Sequence, residues 1–243
     1  MRSLIISDIH ANLTALEAVL ADAGSYDRVL CLGDVVGYGP DPDTCIERIR
    51  ELPNLSCIKG NHDAAILGEI DVRAFNFEAR ASLVWLENAL QPENKVWLGS
   101  LPESLTIDNF KLAHGSPRSP IWEYVMDVAT AWANFSAFET PFCLVGHTHL
   151  PGVYQQDESS PNSVYLQLIE PDRPFWVNQK AIINPGSVGQ PRDHDPRAAY
   201  LIHDDADDRW DFRRVAYDVS QVQERIRAAG LPERHAQRLE GGW

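Results

Sequence analysis

A chain of 243 residues with 44% hydrophobic and 23% charged side chains has an ordinary globular composition and the length of one domain, with or without a small cap. Its formal charge of −14 excludes the basic footprint that a nonspecific DNA or RNA binder needs, so long nucleic acid is not an expected partner. No apolar run approaches the roughly 18 residues of a membrane span, and Leu4-Ile5-Ile6 is too short for a signal-peptide core, so a cytoplasmic location without membrane partners is expected.

Residues 3–7 read as a short buried strand. Helical apolar spacing over residues 12–23 follows, with Asn12 placed to cap it. A strand over 28–32, a helix over 41–51 and a strand over 55–58 continue the alternation, which argues for a layered α/β fold. Residues 64–98 are helical in character and form a candidate cap. A hairpin over 105–107 and 110–114 turns at Asp108-Asn109. Helix over 128–138 and strand over 142–145 precede a series of short strands at 153–155, 164–168, 181–183, 200–202 and 211–215. The polar stretch 156–162 reads as a loop, and 219–229 as a closing helix within a C-terminal helix and tail (219–243). Nothing marks a linker, so residues 1–243 are expected to form a single domain. The cysteines Cys31, Cys45, Cys57 and Cys143 form no C-x-x-C pair and read as reduced, buried thiols.

Five places share one design, a short apolar strand followed at once by ligand-type residues. They are Asp8-Ile9-His10, Gly33-Asp34, Gly60-Asn61-His62-Asp63, His114-Gly115 and Gly146-His147-Thr148-His149. In an α/β sheet the C-terminal strand ends converge on one crevice. Extended residues two apart point to one side, so Asp8 and His10 can aim together, as can His147 and His149. Five of the eight histidines fall at these ends. Imidazoles mixed with carboxylates and an amide oxygen suit Mn, Fe, Co, Ni or Zn, whereas an all-oxygen Mg or Ca site needs no imidazole. Taken singly, Asp8 or Asn61 could be a helix cap and His10 or His114 a satisfied buried histidine. Taken together they describe a metal centre.

The ordered set D-x-H, G-D, G-N-H-D, H-G and G-H-x-H resembles the calcineurin-like metallophosphoesterase superfamily. Gly33-Asp34-Val35-Val36-Gly37-Tyr38-Gly39-Pro40 and Asn184-Pro185-Gly186-Ser187-Val188-Gly189 resemble its small bacterial and archaeal phosphodiesterase-like branch. The resemblance implies a four-layer α/β/β/α sandwich of two mixed sheets with two divalent metal ions, manganese favoured. It implies that Asp8, His10 and His149 hold one ion, that Asn61, His114 and His147 hold the other, and that Asp34 bridges both. A hydroxide shared by the ions would attack phosphorus in line with the leaving oxygen. His62 resembles the family's catalytic histidine, which stabilises developing charge and protonates the leaving group. The protein-phosphatase branch orients that histidine with an acid, and Gly37 stands in its place here, which argues against a phosphoprotein phosphatase.

Arg118 and Arg192 follow the motifs closely and are candidate phosphate clamps, with surface ion pairs as the alternative. Trp122 and Tyr124 are candidates for stacking on a nucleobase, with core packing as the alternative. The expected reaction is hydrolysis of a small phosphodiester or nucleotide phosphoanhydride. A broad phosphomonoesterase is the alternative, and a non-catalytic metal-binding scaffold is the rival of another class. The sequence leaves the oligomeric state open.

Overall fold

The computed structural model describes residues 1–157 and 160–243, and among them two mixed six-stranded sheets lie face to face. The first sheet runs β3 (Leu55–Cys57), β2 (Arg28–Cys31), β1 (Arg2–Ile6), β11 (Ala198–Asp204), β12 (Arg209–Val215), β9 (Pro174–Trp176). The second runs β4 (Ser104–Ile107), β5 (Phe110–Ala113), β6 (Phe142–Leu144), β10 (Ala181–Asn184), β7 (Gly152–Asp157), β8 (Ser160–Gln167). Strands β1, β2 and β3 are mutually parallel, as are β5, β6 and β10.

Alternation along β1 shows how the layers form. Leu4 and Ile6 face a core shared with Ala15, Leu16 and Val19 of α1 (Leu13–Asp22) and Ile46 of α2 (Pro42–Arg50). Ile5 faces the opposite way, between the sheets, with Leu30, Phe110, Leu144, Ile183 and Trp210. A strand buried on both faces needs an unbroken apolar run, which is what Leu4-Ile5-Ile6 supplies. Beyond the second sheet, Cys143, Val145 and Ile182 pack on Ala131 and Phe135, at and just after α6 (Val128–Asn134). The result is the α/β/β/α sandwich. Truncating Ile5 to alanine would cost about 2–5 kcal/mol, since neither rigid sheet can collapse into the gap.

Residues 64–98 lie in α3 (Asn61–Ile66), a 3₁₀ turn, α4 (Phe77–Ala89) and α5 (Pro92–Ser100). Their residues Ala79, Leu83, Leu86 and Leu98 join the core of the first helical layer. Asn12 caps α1 by accepting from the Ala15 N–H at 3.1 Å. At the C-terminus α7 (Val219–Ala228) packs on α8 (Glu233–Gly241) through Val222, Ile226, Ala236 and Leu239.

Several boundaries depart from the sequence reading. The polar stretch 156–162 is not simply a loop: Gln156 and Asp157 close β7, Ser160 opens β8, and residues 158–159 lie outside the described residues. Strand β9 starts at a proline, which an edge strand tolerates because one side of its backbone needs no partner. Helix α8 extends a region read only as tail. No helix among the described residues is long and apolar enough to cross a membrane.

Candidate active site

Strands β1, β2 and β3 of one sheet and β5 and β6 of the other deliver their C-terminal ends to one place. Asp8, His10, Asp34, Asn61, His62, His114, His147 and His149 all lie there and all are buried. The backbone takes an unusual path to put them there. Asp8, His10, Asp34, His147 and His149 have φ between 50° and 65° (54°, 50°, 52°, 65° and 61°). Non-glycine residues rarely occupy this left-handed region, and clusters of them mark places where function, not local preference, sets the backbone. The loops after β2 and β3 pack so closely that a Cβ on Gly60 would overlap the Asp34 side chain.

Backbone carbonyls fix the imidazoles. His10 Nδ1 lies 3.2 Å from Val36 O, His114 Nδ1 2.8 Å from Leu32 O, and His149 Nδ1 2.5 Å from Gln190 O. A carbonyl only accepts, so each Nδ1 carries its proton and each Nε2 is turned inward. Inside, His10 Nε2 lies 3.1 Å from His149 Nε2 and 3.6 Å from Asp34 Oδ2, and His149 Nε2 lies 3.2 Å from Asp8 Oδ1. On the other side His114 Nε2 lies 3.0 Å from Asn61 Oδ1 and 3.3 Å from Asp34 Oδ2. Asp8 Oδ1 and His147 Nε2 are buried without a hydrogen-bond partner among the described residues.

The electrostatics describe a pocket built for cations. Burial drives the His10 and His149 imidazoles below the usual range, with Arg192 adding to the effect at His149. Burial and the neighbouring His114 take His147 down to about 3. Burial opposes ionisation of Asp8 and Asp34, yet the surrounding imidazoles hold both carboxyls below their ordinary value. His114 goes the other way. Burial disfavours its charge, but Asp34, as charge and hydrogen-bond acceptor, and then Asp8 raise it to about 10. A proton on His114 there occupies the position of a cation between two carboxylates.

Among the described residues, three ligand groups are close enough to hold a metal ion: Asp8, His10 and His149; His10, Asp34 and His62; and Asp34, His114 and His147. Within each the donor atoms lie within 4.8 Å of one another. The orphaned Asp8 Oδ1 and His147 Nε2, and the imidazole lone pairs facing each other, fit divalent cations of the nitrogen- and oxygen-binding kind.

The segment Asn184-Pro185-Gly186-Ser187-Val188-Gly189 laces these loops together. Asn184 Nδ2 donates to Gly146 O at 2.8 Å and Thr148 Oγ1 at 2.9 Å. Ser187 Oγ and the Gly189 N–H donate to Asp8 O at 2.8 and 2.9 Å, and the next residue, Gln190, offers the carbonyl that orients His149.

His62 is placed by shape. Its backbone N–H donates to Asp34 Oδ1 at 2.8 Å. Its ring sits 4.4 Å from the Tyr38 ring and 5.1 Å from that of Phe75. A Cβ on Gly37 would lie 2.5 Å from His62 Nδ1, so the glycine makes room for the imidazole. Nδ1 is sealed there without a partner among the described residues, which leaves Nε2 to serve the cavity. Burial, then Arg192, lowers His62 to about 4. Asp63 instead braces the loops, accepting from Gly60 N (3.0 Å), Val36 N (3.1 Å) and Val35 N (3.3 Å), while burial and the Asp34 charge raise it to about 6.

A cavity of about 350 Å³ opens beside these groups, and Arg192 lines it with Tyr38, His62, Phe75, Asn76, Trp122 and Tyr124. Arg192 reaches Tyr38 Oη at 3.5 Å and Gln190 Oε1 at 3.2 Å, and its Nε is buried without a partner among the described residues. Arg118 is elsewhere: its guanidinium is paired with Glu123 (Nε–Oε2 2.8 Å) and does not line the cavity. The clamp expected at Arg118 is therefore replaced by a structural ion pair. Sequence reasoning also passed over Phe75 and Asn76, which carry no motif, and the support from the C-terminus. There His235 packs on the far side of Tyr38 at 4.9 Å, and Gly242 O accepts from the His194 N–H at 2.7 Å, two residues beyond Arg192.

Comparison with known proteins follows the same line. The family profile of the calcineurin-like phosphoesterase superfamily domain matches residues 1–208. An uncharacterized protein of Methanocaldococcus jannaschii is 37% identical over 243 residues, covering 97% of this chain and 96% of that protein. The crystal structure of a metallophosphoesterase from Sphaerobacter thermophilus superposes with a TM-score of 0.91 at 45% identity, covering 100% of each chain. A hypothetical protein from Pyrococcus horikoshii OT3 shares the fold, with a TM-score of 0.78 at 22% identity over 100% of this chain and 98% of that one. The chain belongs to the calcineurin-like phosphoesterase superfamily and is a metal-dependent phosphoric ester hydrolase.

Proposed function

We propose that the chain hydrolyses a small phosphodiester or nucleotide phosphoanhydride at a centre of two divalent cations. The observation that carries this reading is the position of Asp34. It belongs to one ligand group with His10 and His62 and to another with His114 and His147, while His10 also belongs to a group with Asp8 and His149. Asp8, His10 and His149 would hold one ion, Asn61, His114 and His147 the second, and Asp34 would touch both. Two such cations supply Lewis-acid charge to the phosphoryl oxygens and activate water near neutral pH.

The chain's own groups account for the rest. Arg192, whose buried Nε has no hydrogen-bond partner among the described residues, draws the substrate phosphate to the cavity wall. His62, held between Gly37, Tyr38 and Phe75, presents Nε2 to the leaving oxygen, where its imidazolium form would support developing charge and deliver a proton. Burial strengthens these interactions by excluding water. The four cysteines are free and buried, which suits a reducing compartment and supports a cytoplasmic location.

Metal-stripped protein reloaded with manganese should turn over bis-p-nitrophenyl phosphate faster than p-nitrophenyl phosphate. Preference for the monoester would shift the reading to a phosphomonoesterase. Absence of turnover on these esters and on a nucleotide set would sink the hydrolytic reading of the cavity.

A further inference from the structure

The cavity beside the ligand groups is walled by rings. Contacts run from Tyr38 to His62 (4.4 Å), His62 to Phe75 (5.1 Å), Phe75 to Trp122 (5.2 Å) and Trp122 to His147 (6.1 Å). Tyr124 stacks on His147 with centroids 3.8 Å apart and planes at 24°. Yet Trp122 and Tyr124 stay 38% and 46% exposed, while Trp210 in the inter-sheet core is sealed. Aromatic area held open at the mouth of a polar cavity is costly in water and is covered when a planar ligand enters.

This wall is built, not frayed. Glu123, between the two aromatics, accepts from Ser116 Oγ at 2.7 Å, Asn134 Nδ2 at 2.8 Å and Arg118 Nε at 2.8 Å. The Gly115 N–H donates to Pro120 O, which folds the loop back onto the residue after His114. These bonds hold Glu123 in the loop while Trp122 and Tyr124 on either side of it line the cavity. Across the opening, Asn76 Oδ1 accepts from Ala79 N at 2.9 Å to cap α4, and its Nδ2 is left as a hydrogen-bond donor at the rim.

We infer that this wall is a nucleobase slot. The base stacks on Trp122, the rim amide of Asn76 reads its edge, and the phosphate lies toward Arg192 and the ligand groups. The cavity of about 350 Å³ is at the scale of small-ligand sites. The inference deepens the hydrolytic reading and rests on it for the phosphate end. Arg118 then acts as a positioning residue, holding the slot through Glu123 without touching substrate.

Titration calorimetry of the manganese-loaded protein with AMP and with ribose 5-phosphate isolates the base, because the two ligands differ only there. AMP should bind about tenfold tighter or more, the usual worth of a base–aromatic contact. In Trp122→Ala that advantage should fall to about twofold, with ribose 5-phosphate affected little, and Trp122→Phe should restore most of it. Arg118→Ala should erode the AMP advantage in part. Equal affinities in the native protein, or an advantage that Trp122→Ala leaves intact, would overturn the slot. Turnover of bis-p-nitrophenyl phosphate and of a nucleotide set, measured on the same samples, separates the two readings: a base preference without turnover of any of them keeps the slot and removes the hydrolytic reading of the cavity.

Discussion

His10 Nε2 and His149 Nε2 face each other at 3.1 Å with no proton to join them, since each ring spends its one proton on a backbone carbonyl through Nδ1. Two lone pairs at that distance repel, and a cation relieves them. Chelation should therefore lower the melting temperature. Reloading at a free metal concentration about a hundredfold above Kd should add about 2.7 kcal/mol. For a chain of this size that is roughly 5–10 °C in a thermal melt. A melt indifferent to chelator and to added manganese would contradict the ligand reading.

Asp34→Ala should abolish turnover and sharply reduce metal content, because its carboxylate is shared between ligand groups and also receives the His62 N–H. Elemental analysis after dialysis checks the metal directly. Full occupancy of both ions in the variant would rule out the shared role.

His62→Ala should keep its metals and lose roughly 10²–10⁴ in kcat, the usual share of a general acid. Paired metal analysis and kinetics separate this outcome from a ligand's behaviour. His62 lies in one ligand group with His10 and Asp34, so loss of an ion from the variant would reassign it as a ligand.

Gly37→Ala tests how that histidine is oriented. The new Cβ would fall 2.5 Å from His62 Nδ1, at a φ of +105° that side chains rarely adopt. The imidazole must shift, so turnover should drop by tenfold or more while metal content holds. Unchanged kinetics would mean that packing against Gly37 is irrelevant to the His62 position.

His235 offers a pH test away from the metals. Burial lowers it from 6.5 to about 4, so the folded chain keeps it neutral while the unfolded chain protonates it first. Its contribution is whole above pH 6.5 and is lost as pH falls toward 4, with a slope of about 1.4 kcal/mol per pH unit between. Denaturant titrations of metal-free protein at several pH values should show a shallower acid loss in His235→Gln than in the native chain. Parallel slopes would refute the assignment.

The parts of the site that were legible in sequence are those where chemistry restricts residue type. Only a few side chains ligate a cation, and Asp8, Asp34, Asn61, His114 and His147, each one to four residues past a strand end, announce themselves by position. The layered fold was legible for a similar reason, because Leu4-Ile5-Ile6 has to satisfy two apolar faces at once. Arg118 misled because charge and proximity to a motif do not say which anion a guanidinium meets, and Glu123 lies only five residues on. Phe75 and Asn76 were silent because a cavity wall is defined by tertiary approach, not by residue type. Helix α8 carries few aliphatic residues, with Ala236 and Leu239 on its buried side, so its periodicity was too faint to stand out.

The hydrogen bond from the His194 N–H to Gly242 O has a practical consequence at the bench. With Arg238 Nε donating to Trp243 O at 2.6 Å, it ties the last residues of the chain to the loop that carries Arg192. A purification tag fused after Trp243 would pull on that loop, whereas Met1 is remote from the cavity on the opposite end of β1 from Asp8. Protein tagged after Trp243 should therefore show a different KM from protein tagged before Met1.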